Sequence, residues 1–218
     1  MNEIEWLKSS DPLELIRYLD SKSRVRKHLL YGCAECRRKW DHFSGDAVSI
    51  QNLELAERYA DGEVEASELR NAKDAMYYGY VKGGSSITMF LLEIDSISPV
   101  EAVVSSILEE LTNWALDNVG EDKTPEVIKE EELLQVQLVH DVFGNPFRKV
   151  KLNRKTLSSQ AISIATAIYD DRAFNRLPIL ADALQESGVD NEDILNHLRS
   201  HGPHVRGCWA LDLVLGKK

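Results

Sequence analysis

Beyond Pro99, the apolar residues Val100, Val103, Val104, Ile107, Leu108, Leu111 and Trp114 recur at steps of three and four, with Glu101, Glu109, Glu110 and Asp117 between them. That spacing places an apolar stripe on one side of a helix and acids on the other. Leu157, Ala161, Ile164, Ala165 and Ile168 form a second stripe, and Leu177, Leu180, Ala183 and Leu184 a third that stops at Gly188, a good C-cap. Asp190 or Asn191 then caps a short helix carrying Ile194, Leu195 and Leu198. Nearer the start, Val25, Leu29, Cys33, Cys36, Trp40 and Phe43 share one face of a long helix. Leu53, Ala56, Tyr59 and Ala60 mark another, closed by Asp61-Gly62, and a further helix runs roughly from Ala66 to Tyr78.

Start signals agree with the stripes. Asp11-Pro12-Leu13-Glu14 sets a capping acid before a first-turn proline, Ser98-Pro99-Val100-Glu101 repeats the design, and Thr124-Pro125-Glu126 repeats most of it. Strand signals are scarce. Ser86-Ile87-Thr88-Met89-Phe90-Leu91-Leu92 is rich in β-branched residues but has no partner strand, so it reads as a buried helical turn or an irregular segment. The pattern predicts an all-α protein, a compact multi-helix bundle of about eight to ten helices. The Gly83-Gly84 joint and the Gly144-Asn145-Pro146 loop divide it into an N-terminal helical part (1–80), an acidic helical middle (81–142) and a C-terminal helical part (143–218), a division compatible with one shared core.

Charge narrows the function classes. Twenty-six Lys and Arg against thirty-six Asp and Glu give a net charge of −10, which disfavours general nucleic-acid binding and attraction to an acidic membrane surface. No apolar run is long enough for a membrane span, and the start, Met1-Asn2-Glu3-Ile4-Glu5-Trp6, lacks the basic and apolar regions of a signal peptide. Three cysteines do not make a disulfide framework. A reducing, cytoplasmic setting is expected. The charges are also uneven. Residues 22–39 carry seven bases and one acid, whereas residues 93–132 carry twelve acids and two bases. Either the two runs are solvated faces that attract each other across the bundle, or the basic run is a site for an anionic ligand with the acidic stretch as its mimic or shield.

Several unusual strings occur together: Phe143-Gly144-Asn145-Pro146-Phe147-Arg148, Leu177-Pro178-Ile179-Leu180-Ala181-Asp182-Ala183-Leu184 and Gly202-Pro203-His204-Val205-Arg206-Gly207-Cys208-Trp209. With Glu5-Trp6-Leu7, Cys33-Ala34-Glu35-Cys36-Arg37-Arg38 and Ala56-Glu57-Arg58-Tyr59-Ala60-Asp61-Gly62, they resemble an uncharacterised bacterial family expanded into many paralogues in some genomes. The resemblance runs from Glu5 to Lys217 and is weakest between Tyr80 and Glu132. It implies a whole unit of one family and no assigned activity.

Three groups of residues carry candidate chemistry. Cys33-x-x-Cys36 has the spacing of a redox pair or of two zinc thiolates. Its place in the middle of a predicted helix argues against redox use, which needs a thiol at a helix N-terminus. For zinc, Cys33 and Cys36 would be joined by His201, His204 or Cys208, from a segment that also holds His197. The competing reading makes both thiols small core residues beside Leu29 and Trp40. The second group, His204, Arg206, Cys208 and Asp212, offers a Cys–His nucleophile with an orienting acid. The apolar run from Val205 to Leu215 reads instead as a central buried helix, in which Asp212 needs a partner such as Arg206, Arg172 or Arg176. The third, Asp170-Asp171-Arg172-Ala173-Phe174-Asn175-Arg176, could hold a cation or a carboxylate ligand, but reads rather as a salt-bridge network between helices. There is no phosphate-binding Gly-rich loop, His-Glu-x-x-His or Gly-x-Ser-x-Gly. The leading expectation is a non-catalytic helical module that binds another protein. The alternatives are a zinc-binding helical domain and a thiol- or histidine-dependent hydrolase or transferase, with no catalytic residue assigned and zinc as the one candidate cofactor.

Overall fold

The fold is taken from a computed structural model, which describes residues 1–20, 25–39, 46–79, 86–92 and 99–217. Among these, the chain forms twelve α-helices and no strand: α1 (Glu3–Lys8), α2 (Pro12–Asp20), α3 (Val25–Arg38), α4 (Ala47–Ala60), α5 (Ala66–Tyr77), α6 (Ser86–Phe90), α7 (Pro99–Asn118), α8 (Thr124–Phe143), α9 (Ser159–Asp170), α10 (Leu177–Glu186), α11 (Glu192–Arg199) and α12 (Trp209–Leu215). The protein is an all-α multi-helix bundle, as the stripes predict. Ten of the helices have seven residues or more. The segment after residue 85 is indeed a single helical turn, ending on the buried Leu91 and Leu92. Trp40, Phe43, Gly83-Gly84 and Ser98 lie outside the described residues.

Capping chemistry explains most boundaries. Asp11 Oδ1 accepts from the Leu13 and Glu14 amides at 2.9 and 3.2 Å, and Asn191, rather than Asp190, caps α11 through the Ile194 amide at 3.1 Å. Gly188, at φ +85°, turns the chain after α10. Thr124 departs from expectation. Its hydroxyl donates back to the Gly120 carbonyl at 2.9 Å, and α8 starts without a side-chain cap.

The ten residues Lys27 to Cys36 of α3 are all buried, so this helix is surrounded on every side. It packs against α4, α7 and α8. One core cluster joins Trp6, Leu15 and Ile16 to Tyr31, Val104 and Val139, and a second joins Leu30, Cys33 and Cys36 to Leu53, Ala56 and Val103. The C-terminal helices α9–α12 have their own cluster around Ile168, Leu180, Leu198 and Leu211, and α12 also touches α8. At Gly32 of α3 a Cβ would lie 2.8 Å from Leu91 Cδ2, so a side chain there would force Leu91 out of its place.

Much of the basic run around α3 points inward. Arg37 donates to both carboxylate oxygens of Glu57 at 2.8 Å, and Arg172 grips the same carboxylate, one bond being 2.9 Å. Arg38 reaches Glu35 at 2.6 Å and also Glu131, which Lys39 meets at 2.7 Å. The basic and acidic runs thus meet across the bundle through Glu131. Asp212 does not pair with Arg206, Arg172 or Arg176 as expected from the sequence. Its partners are Arg26 at 2.6 Å and Lys27 at 2.8 Å, both from α3. Arg206 instead pairs with Asp61 at 2.9 Å.

These pairs set an acid limit on stability. Burial alone would raise the pKa values of Glu57, Asp61 and Glu131. Hydrogen bonds from Arg37 and Arg172 to Glu57, from Tyr169 to Asp61, and from Arg38 and Lys39 to Glu131 overcome it and hold all three below their ordinary values. The stability they contribute is complete above those ordinary values of 4.5, 3.8 and 4.5, and is lost as pH falls through the lower folded values. Glu35 acts in the opposite sense. Its complete burial raises its pKa against the pull of Arg38, so its contribution is full below 4.5 and is lost as pH rises through the folded value. Urea unfolding followed from pH 7 to pH 3 is therefore expected to show a midpoint that falls once the pH passes below about 4.5. Glu35→Gln should abolish the gain in midpoint that Glu35 gives as pH falls toward 4.5 and leave the fall below it unchanged.

Candidate metal centre

Three segments converge near the C-terminal end of α8. Asp141 lies two residues before the end of α8 and is buried, as are its neighbours Leu138, Val139 and Val142. His197 comes from the last turn of α11, and His204 and Cys208 from the chain between α11 and α12. One ligand atom from each of these four residues lies within 4.8 Å of all the others. His204 Nδ1 is 2.7 Å from Asp141 Oδ1, His197 Nε2 is 3.1 Å from the same oxygen, and His197 Nε2 is also 3.1 Å from Cys208 Sγ.

The surroundings fix these groups in place. The Val205 amide donates to Asp141 Oδ2 at 3.0 Å, leaving Oδ1 for the imidazoles. His204 Nε2 lies 3.2 Å from both the hydroxyl and the carbonyl of Ser200, which orients the ring so that Nδ1 faces the cluster. The His197 ring sits between His204 and Trp209, with both centroid distances 5.0 Å. Trp209 in turn packs on Gly144, where φ is +64° and a Cβ would come within 3.0 Å of the indole. Glycine is required there on both counts.

Burial would raise the Asp141 pKa, but the two imidazoles bonded to it bring it below the ordinary carboxylate value. Burial would lower the His204 pKa, and its bond to Asp141 reverses that and raises it. The Cys208 thiol is pushed well up, first by complete burial and then by the nearby Asp141 charge. A buried, protonated thiol is a poor nucleophile. Around Cys208 the geometry also differs from a catalytic triad, although His204 does bridge Asp141 and the Ser200 hydroxyl. A triad imidazole uses one ring nitrogen for the nucleophile and the other for the orienting acid. Here His197 Nε2 faces both the sulfur and the carboxylate.

Of the residues marked out in the sequence for metal, the fold brings together His204 and Cys208. His201 is exposed and is not part of the group, and neither are Cys33 and Cys36. Those two thiols, each 1% exposed, fill the core cluster between α3, α4 and α7, where burial raises both pKa values. Their i, i+3 spacing is that of two core positions on one helix face. Cys208 is the residue that precedes α12 and does not lie within it, because the helix begins at Trp209 and not at Val205. Asp141 was missed altogether. The one trace of it in the sequence is a carboxylate set among Leu138, Val139 and Val142.

No protein-family model, curated protein or solved structure matches this chain. Among the described residues, no helix is long and apolar enough to cross a membrane.

Proposed function

We propose that the protein is a metal-binding helical domain in which Asp141, His197, His204 and Cys208 hold one zinc ion. The observation that supports this reading is the convergence of four donor atoms from three separate segments within 4.8 Å. Two imidazoles, a thiolate and a carboxylate suit a borderline-soft ion with tetrahedral preference. Zinc bonds of about 2.0–2.3 Å would set such donors roughly 3.3–3.7 Å apart. The observed contacts of 2.7–3.1 Å lie close below that. The bonds from Val205 and Ser200 supply the outer-shell support that metal ligands need.

Four protein donors leave no open position, so the ion is structural. It clasps α8 to α11 and to the chain that leads into α12, and the Cys208 proton is displaced on binding. Three free thiols fit a reducing, cytoplasmic setting. This reading outweighs the interaction module expected from the sequence. The most exposed apolar side chains, among them Ile4, Leu7, Tyr77, Trp114 and Ile179, are spread over α1, α5, α7 and α10, the ordinary pattern of a protein surface.

Protein purified without chelators is expected to carry about one zinc per chain by atomic emission, and zinc at 100 times its dissociation constant should stabilise it by about 2.7 kcal/mol. Cobalt substitution should give a sulfur-to-metal charge-transfer band. Cys208→Ser should abolish that band and His197→Gln should lose the metal, while Cys33→Ser keeps both. Folded wild-type protein that takes up neither zinc nor cobalt, or a Cys208→Ser protein that keeps the band, would overturn the proposal.

A further inference from the structure

A cavity of about 310 Å³ opens beside α3, bounded by α8 on one side and by residues 203–206 on another. Leu30, Leu138, Phe174 and Val205 give it apolar walls. Its charged lining is four arginines, Arg37, Arg38, Arg172 and Arg206, and one acid, Glu57. That is an unusual surplus in a chain of net charge −10.

The carboxylates nearby do not cancel it. Glu57 serves both Arg37 and Arg172. Asp61 serves Arg206, Arg26 and Lys217. Glu131 serves Arg38 and Lys39. Among the described residues, seven cations therefore share three carboxylates. Glu35, beside Arg38, and Asp212, which takes Arg26 and Lys27, narrow the imbalance without closing it. Moreover, Nε of Arg38 and Nε of Arg206 are buried donors with no acceptor among the described residues, the Arg206 guanidinium lying 4.6 Å over the Tyr169 ring. A buried donor without a partner is costly, and a guanidinium N–H is best satisfied by an oxyanion. Arg37 and Arg172 keep side-chain exposures of 34% and 32%, so a ligand can reach them from solvent.

We propose that this cavity is a binding site for a small organic oxyanion: a carboxylate or phosphate head held by the arginines, on an apolar body set against Leu138, Phe174 and Val205. The volume is at the small end for ligand pockets and suits about a dozen non-hydrogen atoms. A bare inorganic anion would leave the apolar walls wet. None of the four proposed metal donors lines it.

The test is calorimetric titration of the wild-type chain at low ionic strength with phenyl phosphate, phenylacetate and inorganic phosphate. At least one aromatic probe is expected to bind one per chain with a dissociation constant of about 1 mM or tighter, and about tenfold more tightly than inorganic phosphate. The tighter of the two identifies the head group. Amide NMR shifts in the wild type should centre on residues 34–38, 138 and 203–206. Ala34→Phe, which fills the cavity from α3 and leaves every arginine in place, should abolish binding. Arg206→Gln should weaken it at least tenfold. No saturable binding of either aromatic probe, equal affinity for inorganic phosphate, shifts centred elsewhere, or undiminished binding by folded Ala34→Phe would each overturn the proposal. The NMR map keeps the test decisive if that variant does not fold.

Discussion

Asp212→Asn is expected to lower the free energy of unfolding by about 3–5 kcal/mol, because it leaves buried cations without their counter-charge. Asp212 is 2% exposed and Lys27 4%. The Lys27 ammonium donates to Asp212 at 2.8 Å and to the carbonyls of Val142 and Gly207 at 2.8 and 2.7 Å, so all three of its protons are used. Arg26 holds the same carboxylate through two nitrogens. Burial already lowers the Lys27 pKa, with Asp212 acting to restore it. The asparagine amide removes that restoring charge. Urea unfolding at pH 7 checks the loss. A loss under 1 kcal/mol would show that solvent reaches the pair.

Trp6→Ala should have an effect of similar size, about 3–5 kcal/mol, through the cavity it leaves. Trp6 is fully buried, with its ring 5.4 Å from His140 and 6.0 Å from Tyr18. It is the one buried residue of α1, a helix of six residues, too short to persist without packing. The rest of α1 is held from outside by Glu3, which accepts from Asn145 at 2.8 Å and from Arg148 at 2.5 Å. Two readouts separate loss of this anchor from general loosening. Amide exchange should rise first in α1, and the His140 pKa, lowered by burial, should move back toward its ordinary value as water enters.

The helices were legible because each rests on short-range chemistry. The stripe from Val100 to Leu111 returns in the buried positions of α7, with Leu108 half-buried and the last member, Trp114, 43% exposed, and the Asp11 and Asn191 caps need only residues two or three places on. The metal cluster was legible only in half. His204 and Cys208 stand close in sequence, but Asp141 is 63 residues from His204, and no periodicity links them. Cys33 and Cys36 show the converse difficulty: the spacing that marks a ligand pair also marks two inward positions on a helix, and the inward reading is the one the fold adopts. Asp212 needed a cation, as its apolar neighbourhood implied, yet nothing local distinguished Arg26 and Lys27 from the nearer arginines. The two aromatics that flank the Gly144 turn, residue types that would both anchor it to a core, divide likewise. Phe143 joins the core, whereas Phe147 stays 38% exposed and stacks on Tyr18 at 5.6 Å.

The span of these ion pairs bears on how the chain is made. Arg26 waits for Asp212, 186 residues later, and Asp61 waits for the Tyr169 hydroxyl, 108 residues later. During synthesis α3 leaves the ribosome with its charges hydrated and its flanks bare, and no N-terminal fragment can complete its surroundings. The bundle therefore locks only after α12 has emerged, and nascent chains stalled before α12 should remain open to proteases along α3 however long they are given.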